Sequence, residues 1–182
     1  MGKDENAGQP VVSGGIYIGI GANLTAVGYA GPKEACMAAL DQLPQHEIKI
    51  VSLSPWYRSA PVPVSDQPWF YNAVAEIDTE LDADATLAML HRIEAGFGRV
   101  RNRRNEARVL DMDLLDYRGT IRDDNVQLPH PRMHSRGFVL YPLRDIAARW
   151  RHPQTGASVD QLIAAHETDA TLADGLYREE KL

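Results

Sequence analysis

An α+β fold of β-α-β-β-α-β order, the ferredoxin-like arrangement, is predicted by three features of this 182-residue chain. Four segments alternate apolar and polar residues with the period of a strand. Two further segments carry apolar residues at helical spacing and follow the first and third strands. Loops rich in Pro, Gly and charge separate them. The sheet should be antiparallel with both helices on one face, and C-terminal helical additions should follow the core.

The first strand is Gly15-Ile-Tyr-Ile-Gly-Ile-Gly21, whose Gly19 and Gly21 leave room for another backbone or a ligand. Its G-x-G is too short for a dinucleotide fingerprint, and no Walker A lysine motif occurs. A helix is expected over Pro32–Leu43, with proline at its start and Ala35, Cys36, Ala39, Leu40 and Leu43 on one stripe. His46–Leu53 reads as the second strand. Residues 54–68 hold four prolines beside Trp56 and Tyr57, and read as a long functional loop. Trp69–Asp78 is the third strand. Asp82 can cap a second helix over about residues 84–95, on which His91 and Glu94 share a face. Asp111–Tyr117 is the fourth strand. A polar loop over 128–138 leads to a helix over Phe138–Ile146, a turn at Pro153–Gly156 and a short helix over Ser158–His166. The tail from Glu167 is polar and shows no pattern.

Composition narrows the class. Hydrophobic residues make up 44% and charged residues 24%, as in an ordinary globular domain. Residues 1–14 read as a disordered leader without the apolar stretch of a signal peptide, and 15–182 as one domain. A net charge of −6 argues against general nucleic-acid binding. No run of 18 apolar residues predicts a membrane span, so a cytoplasmic location is expected. The single cysteine, Cys36, excludes an internal disulfide and reads as a small core residue.

The chemistry concentrates between residues 99 and 113. Arg99, Arg101, Arg103, Arg104 and Arg108 crowd a turn-like segment that runs into a strand bearing Asp111 and Asp113. Residues two apart on a strand share a face, so the carboxylates point one way while Leu110, Met112 and Leu114 point into a core. Adjacent carboxylates repel unless a cation lies between them. Magnesium is commonly held by one or two carboxylates plus substrate phosphates, and arginine forks suit phosphates. A metal–polyphosphate site competes here with a solvated strand face. His130 and His134 are not a helical metal pair, because Pro129 and Pro131 flank His130. Asn72, mid-strand, is either an edge residue or an amide aimed at a heterocycle. Phe138 is either core or a stacking platform.

Taken together, the segments resemble the 6-hydroxymethyl-7,8-dihydropterin pyrophosphokinase family of folate biosynthesis, from about Ile16 to Ala148. The residues that carry the resemblance are Ile-Gly-Ile-Gly-Ala-Asn-Leu (18–24), Ser-Pro-Trp-Tyr-Arg-Ser-Ala-Pro (54–61), Asp-Gln-Pro-Trp-Phe-Tyr-Asn-Ala-Val (66–74), Arg-Ile-Glu (92–94), Gly-Arg-Val-Arg (98–101), Ala-Arg-Val-Leu-Asp-Met-Asp-Leu-Leu (107–115) and Pro-His-Pro-Arg-Met-His-Ser-Arg-Gly-Phe-Val-Leu (129–140). The resemblance implies transfer of diphosphate from ATP to the pterin hydroxymethyl group, releasing AMP. It assigns Asp111 and Asp113 to two Mg²⁺ ions, and Arg99 and Arg108 to the triphosphate in the transition state. Arg101, His130, Arg136, His91 and Glu94 would contact ATP. Ser59, Ala60, Val62, Phe70, Asn72 and Phe138 would form the pterin pocket. A monomer without nucleic-acid or membrane partners is expected. Where many members carry Trp and Pro in the arginine loop, this chain has Asn105 and Ala107, which argues against an aromatic lid over the pterin from that loop. Two other readings keep part of these features: a nucleotide- or RNA-binding module, and a nucleotidyltransferase that leaves AMP on its acceptor.

Overall fold

The computed structural model describes residues 14–61, 65–98, 108–169, 175 and 177–178. Its centre is an antiparallel sheet. β1 (Ile16–Ala22) lies between β4 (Phe70–Asp78) and β5 (Asp111–Tyr117), the latter forming one edge. On its other side β4 pairs with β2 (Lys49–Leu53) and β3 (Tyr57–Ser59), and the short β8 (Tyr177–Arg178) adds to β3. A separate hairpin joins β6 (Arg122–Asp123) and β7 (Gln127–Leu128).

The two faces of the sheet are covered differently. α1 (Pro32–Leu40) and α2 (Ala83–Gly96) bury Ala35, Cys36, Ala39, Leu40, Leu90 and Ile93 against Ile16, Ile18, Ile20, Ala73, Ala75 and Ile77. α3 (Gly137–Ile146) and α4 (Val159–Thr168) close the opposite face, where Val139, Leu140, Leu143 and Ile163 pack with Tyr17, Val74, Leu115 and Trp150. The molecule is thus helix, sheet, helix. Alternation along β1 and β4 sends successive side chains into the two clusters, as strand geometry requires.

Several expected boundaries are corrected. α1 stops at Leu40 rather than Leu43, because Pro44 cannot donate a helical hydrogen bond and disfavours helix at the residue before it. A 3-10 turn over Leu43–His46 follows. The loop expected over 54–68 contains β3. Between β2 and β3, the Ser54 hydroxyl accepts from Val74 N (3.0 Å) while Ser54 N donates to Val74 O (2.9 Å), so β4 keeps its partners across a break at Pro55. The uninformative tail includes β8. α2 begins on Asp82, whose carboxylate accepts from Ala85 N at 2.8 Å, as expected for its cap. No helix among the described residues is long and apolar enough to cross a membrane.

A register shift between β1 and β5 at Tyr17/Ile18 brings Leu115 and then Asp116 toward the α3–α4 side. Asp116 is fully buried there and accepts from Trp150 Nε1 (2.7 Å) and Gly119 N (2.9 Å). Trp150 meets His152 edge-on at 5.9 Å, and His152 meets His134 at 5.8 Å. Burial and then the neighbouring His134 push the His152 pKa below 6.5, and its Nδ1 accepts from Thr155 N. Folded His152 therefore takes up its proton at lower pH than its unfolded counterpart, which titrates near pH 6.5. The unfolded state binds more protons in that window, so stability falls as pH falls. Unfolding free energies measured at pH 7.5 and 5.5 should differ less in His152→Gln than in the natural chain; equal pH dependence in both would contradict this origin.

Candidate active site

The rows of residues running across β5, β1 and β4 organise the site. Gly21 stands opposite Asp111 on one side and Asn72 on the other, and Gly19 stands opposite Asp113 and Val74. Both glycines face the α3–α4 side of the sheet, where a side chain would fill the space between aspartates and asparagine. The result is a floor without side chains. Above it opens a cleft of about 1000 Å³, solvent at its mouth included.

One end of the cleft is charged. Asp111 and Asp113 project from β5 into it, while Leu110, Met112 and Leu114 enter the core behind, as the alternation predicts. Each carboxylate has a cation at hand. Arg108 Nη1 donates to Asp111 Oδ2. Asp113 Oδ2 lies 3.8 Å from Arg136 Nη1 and 3.8 Å from His130 Nε2. His130 Nδ1 accepts from Arg132 N at 3.2 Å, which leaves the neutral ring's proton on Nε2, toward Asp113. Burial lowers the His130 pKa first, the Asp113 charge opposes this, and Arg136 and Arg132 add to the lowering. Arg136 is itself held below its ordinary value by burial and by Arg132. Its guanidinium stacks 5.4 Å from the Phe138 ring at the start of α3.

The other end is amphipathic. Ser59, Ala60, Phe70, Asn72 and Phe138 line it. Asn72 is 7% exposed, and its Nδ2 donates to Ser59 Oγ at 2.9 Å. That bond fixes the amide's orientation. A Cβ placed on Gly21 would stand 2.7 Å from Asn72 Oδ1 and 3.3 Å from Tyr71 O.

The structure thus assembles Ser59, Ala60, Phe70, Asn72, Arg108, Asp111, Asp113, Arg136 and Phe138 around one cleft, with His130 against Asp113. Glu94 and His91 do not line it. Glu94 is 1% exposed and accepts from Met112 N at 2.6 Å, so it holds the edge-strand backbone between the two aspartates. Arg99, Arg101 and Val62 lie outside the described residues. The Cys36 thiol is pushed up to about 12 by burial and by the Asp111 charge, which fits a core residue and not a nucleophile. Asn23 and Gln67 lie in the segments 18–24 and 66–74 that carry the resemblance, but no role for either is legible in the sequence.

Among the described residues no three His, Cys, Asp or Glu side chains gather as a metal cage. Two carboxylates on one face, with open space between them and neighbouring cations, instead suit a hard divalent ion that completes its shell with water and phosphate oxygens.

Comparison with known proteins places this geometry in a family. The model for 7,8-dihydro-6-hydroxymethylpterin-pyrophosphokinase matches residues 17–148. A 2-amino-4-hydroxy-6-hydroxymethyldihydropteridine pyrophosphokinase from Pseudomonas aeruginosa is 41% identical over 154 residues, covering 82% of this chain and 90% of its own. One of the same name from Methylorubrum extorquens is 42% identical over 134 residues, covering 72% and 81%. Among solved structures, a triple mutant of Plasmodium falciparum HPPK-DHPS has a TM-score of 0.67 at 12% identity, which speaks for the fold. It is matched over 90% of this chain and 46% of its own, so this chain spans about half of that protein.

The glycine floor is open to test. Gly21→Ala should force the Asn72 amide and the Tyr71 carbonyl to shift, at a cost of about 1–3 kcal/mol. Gly19→Ala meets only the Leu115 side chain at 3.5 Å and should cost less. Thermal unfolding of both variants decides it; equal losses would mean that Asn72 is not crowded at Gly21.

Proposed function

Because the chain belongs to the 7,8-dihydro-6-hydroxymethylpterin-pyrophosphokinase family, we propose that it transfers diphosphate from ATP to the hydroxymethyl group of 6-hydroxymethyl-7,8-dihydropterin. The products are AMP and the pterin diphosphate, and the step belongs to folate biosynthesis. One observation carries the reading: the glycine floor joins a carboxylate–guanidinium end to an amide-and-ring end within a single cleft.

Asn72 offers a donor and an acceptor and suits the edge of the pterin heterocycle, while Phe70 and Phe138 suit its faces. Ser59 keeps the Asn72 amide oriented. At the other end Arg136, His130 and Arg108 suit the triphosphate, since guanidinium forks match phosphate oxygens. Arg99 and Arg101 are assigned to the same work, and Val62 to the pterin side. His91 and Glu94 stand behind the cleft; Glu94 supports the phosphate end through the β5 backbone. Two Mg²⁺ ions, held by Asp111 and Asp113 together with phosphate oxygens, would neutralise charge at the attacked β-phosphorus.

The ion pairs have a direct bearing on this chemistry. Arg108 donates to Asp111 Oδ2, and a divalent ion held by that carboxylate would share or displace the contact. The Arg108 guanidinium would then be available to the phosphates, where it would stabilise charge that grows in the transition state. Bond making joins the hydroxymethyl oxygen to the β-phosphorus while its proton passes to solvent, and the bond to the bridging α,β oxygen breaks with its electrons leaving on AMP. No covalent enzyme intermediate is required, and positioning with electrostatics carries most of the rate. In this reading the ferredoxin-like core works as a monomer in the cytoplasm, without nucleic-acid or membrane partners.

Incubation with ATP, Mg²⁺ and the dihydropterin should yield AMP and a diphosphorylated pterin. ADP, pyrophosphate with an adenylated pterin, or no turnover would overturn the proposal. Asp111→Asn and Asp113→Asn should each lower turnover about a hundredfold or more while leaving the fold intact. Near-normal rates would remove the metal assignment. Asn72→Ala should weaken pterin binding roughly tenfold, with a smaller effect on ATP; equal losses for both ligands would count against its role.

A further inference from the structure

One buried side chain outside the cleft lining ties its two ends together. Asn23, 2% exposed, follows the last residue of β1. Its Oδ1 accepts from Arg108 N at 2.7 Å, and Asn23 N and Leu24 N both donate to Arg108 O at 3.0 Å. Both backbone polar groups of Arg108 are thereby fixed. The Asn23 Nδ2 donates in the other direction, to Gln67 Oε1 (3.2 Å) and Pro68 O (3.1 Å). Gln67 lines the cleft, and Pro68 lies two residues before Phe70.

Taking the proposed function as given, we propose that Asn23 is a positioning residue that couples the pterin-side segment 65–68 to the root of the arginine segment at Arg108. Only an amide of this size supplies two donors and an acceptor at once, and all three are used here. The amide is planar, so its two arms cannot reorient independently. A ligand that orders the 65–68 segment orders Nδ2, and with it the acceptor that fixes Arg108 N. The second ligand then meets an end of the cleft already in place, which is a coupling free energy between two sites. Arg108 gains a fixed backbone from which its side chain can move between Asp111 and phosphate.

The test is a ratio. The dissociation constant of 6-hydroxymethyl-7,8-dihydropterin is measured with and without a non-hydrolysable ATP analogue, in the natural chain and in Asn23→Asp. Aspartate keeps the acceptor for Arg108 N but replaces both donors with oxygen facing Gln67 Oε1 and Pro68 O. The natural chain should show a ratio of about fivefold or more, and Asn23→Asp a ratio near one. A merely structural role would lower melting temperature and leave the ratio unchanged, which overturns the proposal. So would a ratio of one in the natural chain. If Asn23→Asp does not fold, Gln67→Leu removes one of the two contacts of that arm, leaving the one to Pro68 O, and should lower the same ratio; an unchanged ratio overturns the proposal. Failure of the natural chain to form AMP in the turnover assay would instead fault the proposed function, so the two failures are distinguishable.

Discussion

Two carboxylates two residues apart on one strand face repel each other, and the surroundings of Asp111 and Asp113 are arranged to counter that repulsion. Arg108 takes one, and Arg136 and His130 approach the other. Burial disfavours the charged forms of Arg136 and His130, visible in the lowered pKa of both, and the two arginines carry the standing positive charge. The same cations suit a triphosphate, whose charge exceeds that of the aspartates they now face. The carboxylates are thus balanced by Arg108 and Arg136 without ligand.

A balance of this kind needs fixed backbones. Among the described residues β5 lies at one edge of the sheet, and Glu94 on α2 accepts from its Met112 N. A buried unpaired amide would cost about 1–3 kcal/mol, and motion there would shift both aspartates. Asn23 does the equivalent at Arg108, and Ser59 at Asn72. Glu94 and Asn23 hold backbone from outside the cleft lining, and Ser59 holds the Asn72 amide from within it.

Much of this was legible in the sequence, for physical reasons that also mark the boundary of what was not. All four predicted strands and both core helices came from periodic runs. Tyr57–Ser59 escaped because three residues between Pro55 and Pro61 are too few to show a period. The β6–β7 hairpin and β8 have two residues per strand and leave no pattern at all. The D-x-D on a strand, the mid-strand Asn72 and the Arg136–Phe138 pair were visible as residue types out of place for a bland surface. Glu94 was visible too, but its direction was not: helical spacing puts it on a face with His91 without saying which face meets β5. The glycines announced close approach, yet their partners depend on strand register. Asn23 reaches across 85 residues to Arg108 and 45 to Pro68, and no local signal carries that.

The central claim is that Asp111 and Asp113 hold divalent ions jointly with the phosphates of ATP. Counting paramagnetic Mn²⁺ bound per chain, with a non-hydrolysable ATP analogue and the dihydropterin present, tests it directly. The account predicts about two ions in the natural chain and fewer in Asp113→Asn, with little ordered binding when the analogue is left out. A count unchanged by the substitution, or by the presence of the analogue, would contradict it.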